Sequence, residues 1–251
     1  MKQVQRGFTM VELLVVLVVI AILTSLMGSS LALVRSCARK VACTSNLMQM
    51  GVASQLYWAD HEQHTFDYVK QPKDGGMLYW FGWLGGGKEG QRVLDRTRGA
   101  LWPYTESKGI GVCPSFPYHR SHYKAKATTV SFGYGYNLHL ACHGSLGKVS
   151  GFSHRSIAQL ASPSKTVLFA DAAQINDFQP PASRDHPLVE EFYYISDGPA
   201  LYANGHFRHS GTAMAVFCDG HVAAESPRDG SLDIRIRKAG IARLRTEVLV
   251  P

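Results

Sequence analysis

The chain has 251 residues, 26 basic and 19 acidic side chains and a formal charge of +7, with 45% hydrophobic and 18% charged residues. That is enough chain for one substantial core, or for a core and an appendage, and it excludes a disulfide-dependent miniprotein and a disordered tail. The charges are unevenly placed: none falls between Glu12 and Arg35, where the chain average would put about four.

Residues 13–34 are uncharged, and 13–23 are continuously apolar. A helix over the uncharged run would rise roughly 33 Å, close to the thickness of a bilayer's hydrocarbon. Lys2 and Arg6 ahead of it and Ser30-Leu31-Ala32 within it also fit a secretory signal peptide, but the apolar region of such a signal is shorter than this run. Lys2 and Arg6 before the run face Arg35, Arg39 and Lys40 after it, so the positive-inside rule leaves the orientation open.

Just ahead of the apolar run stands Arg6-Gly7-Phe8-Thr9-Met10-Val11-Glu12, followed at once by Leu13-Leu14-Val15-Val16. This resembles the type III signal of type IV pilins and type II secretion pseudopilins. The resemblance implies a leader over residues 1–7, removed by prepilin peptidase between Gly7 and Phe8, and N-methylation of Phe8. It implies an assembly helix over 8–34 in the inner membrane, with a cytoplasmic leader and a periplasmic body. It also implies assembly with other pilin subunits on an inner-membrane platform, into a pilus or a secretion pseudopilus. A carboxylate one turn into an apolar helix is costly in hydrocarbon and calls for a partner. For Glu12 that partner is the α-amine of Phe8 of a neighbouring subunit; the alternative is a headgroup position at the helix N-terminus, where the macrodipole tolerates negative charge.

The helix is expected to continue over 35–60. Val34, Ala38, Val41, Ser45, Met48, Val52 and Gln55 or Leu56 follow steps of four and three and form one apolar stripe. In pilins such a stripe packs on an antiparallel sheet. A free coiled coil is the competing reading, but the stripe stops at Asp60-His61-Glu62 after about three heptads.

Cys43-Thr44-Ser45-Asn46-Leu47-Met48-Gln49-Met50-Gly51 narrows the resemblance, together with Leu101-Trp102-Pro103-Tyr104, Cys113-Pro114-Ser115 and the stretch from Ser131 to Asn137. Arg208-His209-Ser210-Gly211 then leads to Asp219-Gly220-His221-Val222. These are similar to pilin-like proteins abundant in Planctomycetes, Verrucomicrobia and Lentisphaerae, whose processing-associated domain carries a His-x9-Asp-Gly signature, here His209, Asp219 and Gly220. Cys43 and Cys113 both fall in blocks shared with that family, so the resemblance suggests a bridge between them. Residues 61–97 and 172–200 match nothing in it.

The implied fold is α+β and pilin-like, with a body over 61–251. Segments 130–138, 166–170, 201–207, 212–218 and 221–225 read as strands, and 156–160 as a helical turn before Pro163. Asp219-Gly220 between two of the strands signals a hairpin. Gly75-Gly76 and Gly85-Gly86-Gly87 read as loops rather than phosphate cradles, since no Lys-Ser or Lys-Thr follows and no strand is expected before them.

His209 reads as a structural residue that hydrogen-bonds backbone or the turn aspartate Asp219. His61-Glu62-Gln63-His64 lacks the four-residue spacing of a zincin helix. His139, Cys142 and His143 could hold zinc only on a helix, and Gly144 argues for a turn. No metal is therefore assigned. Five cysteines in an oxidising compartment cannot all pair within one chain. Asp171, Asp177, Asp185, Glu190, Glu191 and Asp197 make an acidic stretch, for which calcium or a solvated loop are the two readings. Tyr79-Trp80-Phe81-Gly82-Trp83 motivates a second function, a membrane-tethered module that stacks aromatics on carbohydrate, against a buried aromatic cluster. The chain shows no catalytic triad, paired-carboxylate motif or nucleotide loop. Its basic excess comes without a recognition motif, so neither an enzyme nor a nucleic-acid partner is expected.

Overall fold

The computed structural model describes residues 7–105, 110–119, 121–131, 133–141, 155–198 and 201–251, apart from the side chains at 26–30 and 71–73. One helix, α1 (Met10–Asp60), opens the fold, and the chain divides into two compact units at Arg39 and Lys40.

In the first unit, Thr9 and Glu12 start α1 as a capping box. The Thr9 N–H and hydroxyl both donate to Glu12 Oε2 (2.8 and 2.7 Å), and the Glu12 N–H donates to Thr9 Oγ1 (3.2 Å). Further on, Thr24 and Ser25 donate their hydroxyls to carbonyls of their own helix, at Ile20, Ala21 and Ile22, so neither needs an outside partner. Among the described residues no helix is long and apolar enough to cross a membrane.

The second unit begins with a meander of β1 (Val69–Lys73), β2 (Gly76–Tyr79), β3 (Gly82–Gly85) and β4 (Leu94–Asp95), antiparallel throughout. It falls inside the segment for which the sequence suggested only glycine loops. Asp74 and Gly75, both at positive φ, form the two-residue turn between β1 and β2. Gly76 and Gly85, expected in loops, face each other as strand residues. A three-stranded sheet is formed by β5 (Tyr123–Lys124), β8 (Ala173–Asn176) and β9 (Leu188–Glu191), in the order β5-β9-β8. The central sheet contains β6 (Tyr134–Asn137), β7 (Val167–Asp171), β10 (Tyr194–Ile195), β12 (Ala213–Phe217) and β13 (Val222–Glu225), in the order β10-β6-β7-β12-β13. A small pair joins β11 (Gly205–His206) to β14 (Ile241–Ala242). The expected all-antiparallel sheet is corrected to mixed ones: β10 runs parallel to β6 and β5 parallel to β9. Both parallel contacts are two-residue edges reached by long connections, as parallel pairing requires.

The central sheet is covered on both faces. Along β12 and into its turn, Met214, Val216 and Cys218 join the cluster beneath α1, while Ala213, Ala215 and Phe217 pack with Phe207, Leu244 and Leu249. That alternation is the period-two signature of a strand with two buried sides.

Which side of α1 meets the sheet differs from expectation. Val41, Met48, Val52 and Leu56 are exposed, as are Ala38, Ser45 and Gln55; in the first unit Val34 is exposed too. The buried residues are Cys43, Leu47, Met50, Gly51, Ala53, Ser54 and Trp58. Apolar periodicity weighted the large residues and passed over the small ones. Small residues allow close approach: a Cβ on Gly51 would lie 2.9 Å from Val216 Cγ2. Ser54 is tolerated in the core because its hydroxyl donates to the Met50 carbonyl (2.8 Å).

Candidate functional site

Two groups of residues carry the functional argument, one in each unit. In the first unit, Gly7 is exposed and a side chain there would meet nothing within 4 Å; Phe8 is 76% exposed. The Gly7–Phe8 bond is thus open to a protease. Glu12 is exposed, and among the described residues its carboxylate accepts from Thr9 and has no basic partner. Thr9-x-x-Glu12 was readable as a capping box from sequence, and the chain uses Glu12 for it. The remaining leader residues, 1–6, lie outside the described residues.

The second group is a clamp between α1 and the body. Cys43 on α1 and Cys113 are joined by a disulfide (S–S 2.09 Å) and both are buried. One turn further along α1, Asn46 Nδ2 donates to the Gly111 carbonyl (2.9 Å) and to the Tyr134 hydroxyl (3.1 Å). His209 lies against the bridge, its Nε2 3.7 Å from Cys113 Sγ and 3.2 Å from Asp171 Oδ2. Asp171, fully buried at the end of β7, also accepts from the Met214 N–H (2.8 Å) and from the Arg208 guanidinium. Arg208 continues to the Gly133 carbonyl (2.7 Å) and directs its Nε at Cys113 Sγ (3.2 Å). Burial, with Arg208 beside it, holds His206 well below the ordinary histidine range, so its Nδ1 is free to face the Arg208 Nη1 (3.0 Å).

The expected partner of His209 is therefore corrected: it is Asp171, across the sheet, and not Asp219. His209 and Thr212 also exchange both backbone hydrogen bonds around Ser210 and Gly211, each at positive φ, but these come from the main chain and not from the ring. Asp219 instead accepts from the backbone and ring of its neighbour His221 (3.1 and 2.6 Å). Burial alone would raise the Asp219 carboxyl; the bonds from His221 outweigh it and hold the group below its usual range. Gly220 turns the β12–β13 hairpin at φ +94°, and a Cβ there would lie 2.8 Å from Gln55 Nε2 of α1. The signature thus touches α1 at both ends: His209 at the Cys43 bridge, Gly220 at Gln55 and Gly51.

The acidic stretch does not converge on one point. Asp171 serves the clamp, Asp177 pairs with Arg235 (2.9 Å), Glu190 with Lys124 and Lys126, and Asp197 with His139 (2.8 Å). Glu191 accepts from the Tyr118 hydroxyl and the Ser131 N–H (both 2.9 Å), and Asp185 is exposed. The donor set needed for calcium is spread over separate partners, so the ion does not fit here. Cys142 and His143 of the considered zinc group lie outside the described residues. His61 stacks on Tyr57, with ring centroids 3.8 Å apart. Cys37 is a free, exposed thiol and Cys218 a free, buried one, whose thiol is pushed up by burial.

The aromatic run is mostly interior. Trp80 and Phe81 form the turn between β2 and β3 and are buried, and the Trp80 indole donates to the Tyr193 carbonyl (2.9 Å). Arg98 covers the Trp83 ring at 5.4 Å.

Residues 2–28 match the family profile of the prokaryotic N-terminal methylation motif. The N-terminal segment is of the prepilin type. That match supports a type IV pilin-like protein processed by prepilin peptidase, with a membrane-anchored N-terminal region. It ends before the body, so the His-x9-Asp-Gly signature remains a resemblance. No curated protein and no solved structure matches the chain.

Proposed function

We propose that this protein is a structural subunit of a type IV pilus-like or type II secretion pseudopilus-like filament, anchored in the inner membrane before assembly. The observation that carries the reading is the methylation-motif match over residues 2–28 together with the open Gly7–Phe8 bond. Prepilin peptidase cleaves there on the cytoplasmic side, Phe8 becomes the methylated terminus, and the body stands in the periplasm. Residues 8–34 sit among membrane lipids until an assembly platform draws the subunit into the filament. Glu12, which has no cationic partner among the described residues, then meets the α-amine of a neighbouring Phe8. The exposed Val41, Met48, Val52 and Leu56 support a further contact with a neighbouring subunit. The protein acts by assembly, with no catalysis and no nucleic-acid ligand. Burial of Trp80 and Phe81 supports the assembly reading over the carbohydrate-binding alternative, since it takes two of that run's aromatics away from the surface.

The test is mass spectrometry of the native amino terminus: a chain beginning at N-methylated Phe8 is expected, and a mature chain beginning at Met1 or near Ala32 would overturn the reading. A second arm uses Glu12→Ala, which is expected to be processed yet missing from sheared filaments. Normal incorporation of that variant would sink the amine pairing.

A further inference from the structure

The least ordinary chemistry outside the clamp lies in the β5-β9-β8 sheet. Lys124 is 2% exposed and Glu190 is 0% exposed, and they are register partners on adjacent strands, Lys124 Nζ standing 2.8 Å from Glu190 Oε2. On the other flank Asn176 Nδ2 donates to the same oxygen (3.0 Å), while Lys126 Nζ lies 2.9 Å from Glu190 Oε1 and Gln174 donates there too. Glu190 therefore accepts from four donors, two of them lysines. Lys124 Nζ also touches the carboxylate of Glu89, whose side chain is 10% exposed.

The contact with Glu89 is set by the backbone as well as by side chains. Arg92 and Ala127 form a parallel bridge, and the Thr128 N–H donates to the Arg92 carbonyl (2.9 Å). The connection between β3 and β4 is thereby laid alongside the segment after β5. An amine, a carboxyl it touches and a second, fully buried carboxylate bonded to the amine are the parts needed for amide condensation where water is excluded.

We propose that Lys124 and Glu89 join in an intramolecular isopeptide bond, with Glu190 as the proton carrier. Glu190 Oε2 takes one proton from Lys124 Nζ, and the neutral amine adds to Glu89 Cδ. The Nζ–Cδ bond forms and the Cδ–Oε2 bond breaks; the expelled oxygen leaves as water with the two protons the nitrogen gives up. Ammonium and carboxylate become amide and water, with no oxidant or other co-reactant. Burial lowers the Lys124 ammonium from its ordinary range, opposed by its bonds to Glu190, and so favours the attacking amine. Burial would raise the Glu190 carboxyl, but the Lys126 charge and the Lys124 bond and charge outweigh it and keep the carrier ionised. The product would tie the meander to the three-stranded sheet by a covalent bond. The inference rests on these residues alone and stands whether or not the protein forms filaments.

The experiment is peptide mapping of the full-length, detergent-solubilised protein after reduction and alkylation. The expected product is a branched tryptic peptide in which residues 121–126, uncut at Lys124, are joined to residues 89–92, one water (about 18 Da) lighter than the sum of the two. Unmodified peptides 89–92 and 121–124 in a folded sample overturn the proposal. A link that instead joins Lys124 to Asn176 or Gln174 with loss of ammonia overturns Glu89 as the acyl partner. The isosteric Glu190→Gln is expected to give at least a tenfold lower branched fraction; an undiminished fraction overturns the role of Glu190. Should that variant fail to fold, the wild-type map still decides whether the bond exists.

Discussion

Removing the Cys43–Cys113 bridge isolates what holds α1 to the body. The bridge closes a loop with a sequence separation of 70 residues. The chain-entropy relation for a loop of that length gives about 4 kcal/mol at 25 °C. Reducing the wild-type protein should therefore cost about 2–4 kcal/mol, the span usually seen for disulfides. Cys43→Ala with Cys113→Ala should cost about 1 kcal/mol more, because both sulfurs are fully buried and their removal leaves a small void and takes Cys113 Sγ from Arg208. The assay is urea unfolding of the detergent-solubilised full chain with and without dithiothreitol, read as a shift in midpoint at constant slope. Hydrogen exchange locates the effect: amides of α1 around Leu47 and Met50 should lose protection first, while those of β7 and β12 keep theirs. A loss below about 1 kcal/mol, or a loss of protection uniform across the sheet, would refute the clamp.

Gly220→Ala should cost about 1–2 kcal/mol through its φ of +94°, and adding Gln55→Ala should leave most of that loss in place, since Gln55 Nε2 can swing away; full rescue in the double variant would show contact rather than backbone conformation to be the cause. Val52→Glu, on the exposed face of α1, should leave the unfolding midpoint within about 0.5 kcal/mol of wild type while lowering recovery in sheared filaments, and normal recovery would remove that face from the assembly reading. Because the Glu190 carboxyl is held below its unfolded value, its stabilising contribution is complete above the ordinary glutamate range and falls away as acid protonates it. Urea midpoints measured from neutral pH down to about pH 3 should therefore drop more steeply for wild type than for Glu190→Gln, and parallel curves would contradict the depressed value.

The parts of the fold legible in the sequence were those specified locally. The strands β7, β12 and β13 and the Asp219-Gly220 hairpin follow from alternation and turn residues, which depend on neighbours a few positions away. Asp74-Gly75 and Thr9-x-x-Glu12 were equally local signals: the first lay beside a second glycine that suggested a loop, and the second inside a motif already given another meaning. What the sequence could not disclose was long-range pairing. Asp171 meets Arg208 and His209 from a distant part of the chain, and Lys124 meets Glu89 beside a backbone bridge, Arg92 to Ala127, that joins two segments far apart in sequence. The acidic stretch looked like a cation site because composition places carboxylates together along the chain, whereas the strands give each one its own partner.

The error over α1 bears directly on function. Val41, Met48, Val52 and Leu56 fall on one side of the helix within the second unit, and Cys43, Leu47, Met50, Ser54 and Trp58 on the opposite side. The side against the sheet uses small residues, a disulfide and Asn46 to obtain close approach, so it can hold the helix with little large apolar surface. The side away from the sheet keeps large residues that are about half exposed or more, and two of them are β-branched valines that weaken a helix relative to alanine. Folding of the body gives no reason for those choices. A contiguous apolar strip of this kind is what a soluble surface avoids and an interface retains. In the assembly proposed above, one helix meets two requirements with two opposite faces: the clamp of His209, Asp171 and the disulfide fixes one to the body, and the other is left to face a neighbouring subunit in a constant orientation. Under that proposal, His209 and Gly220 would serve assembly through the clamp, without direct contact with the neighbour.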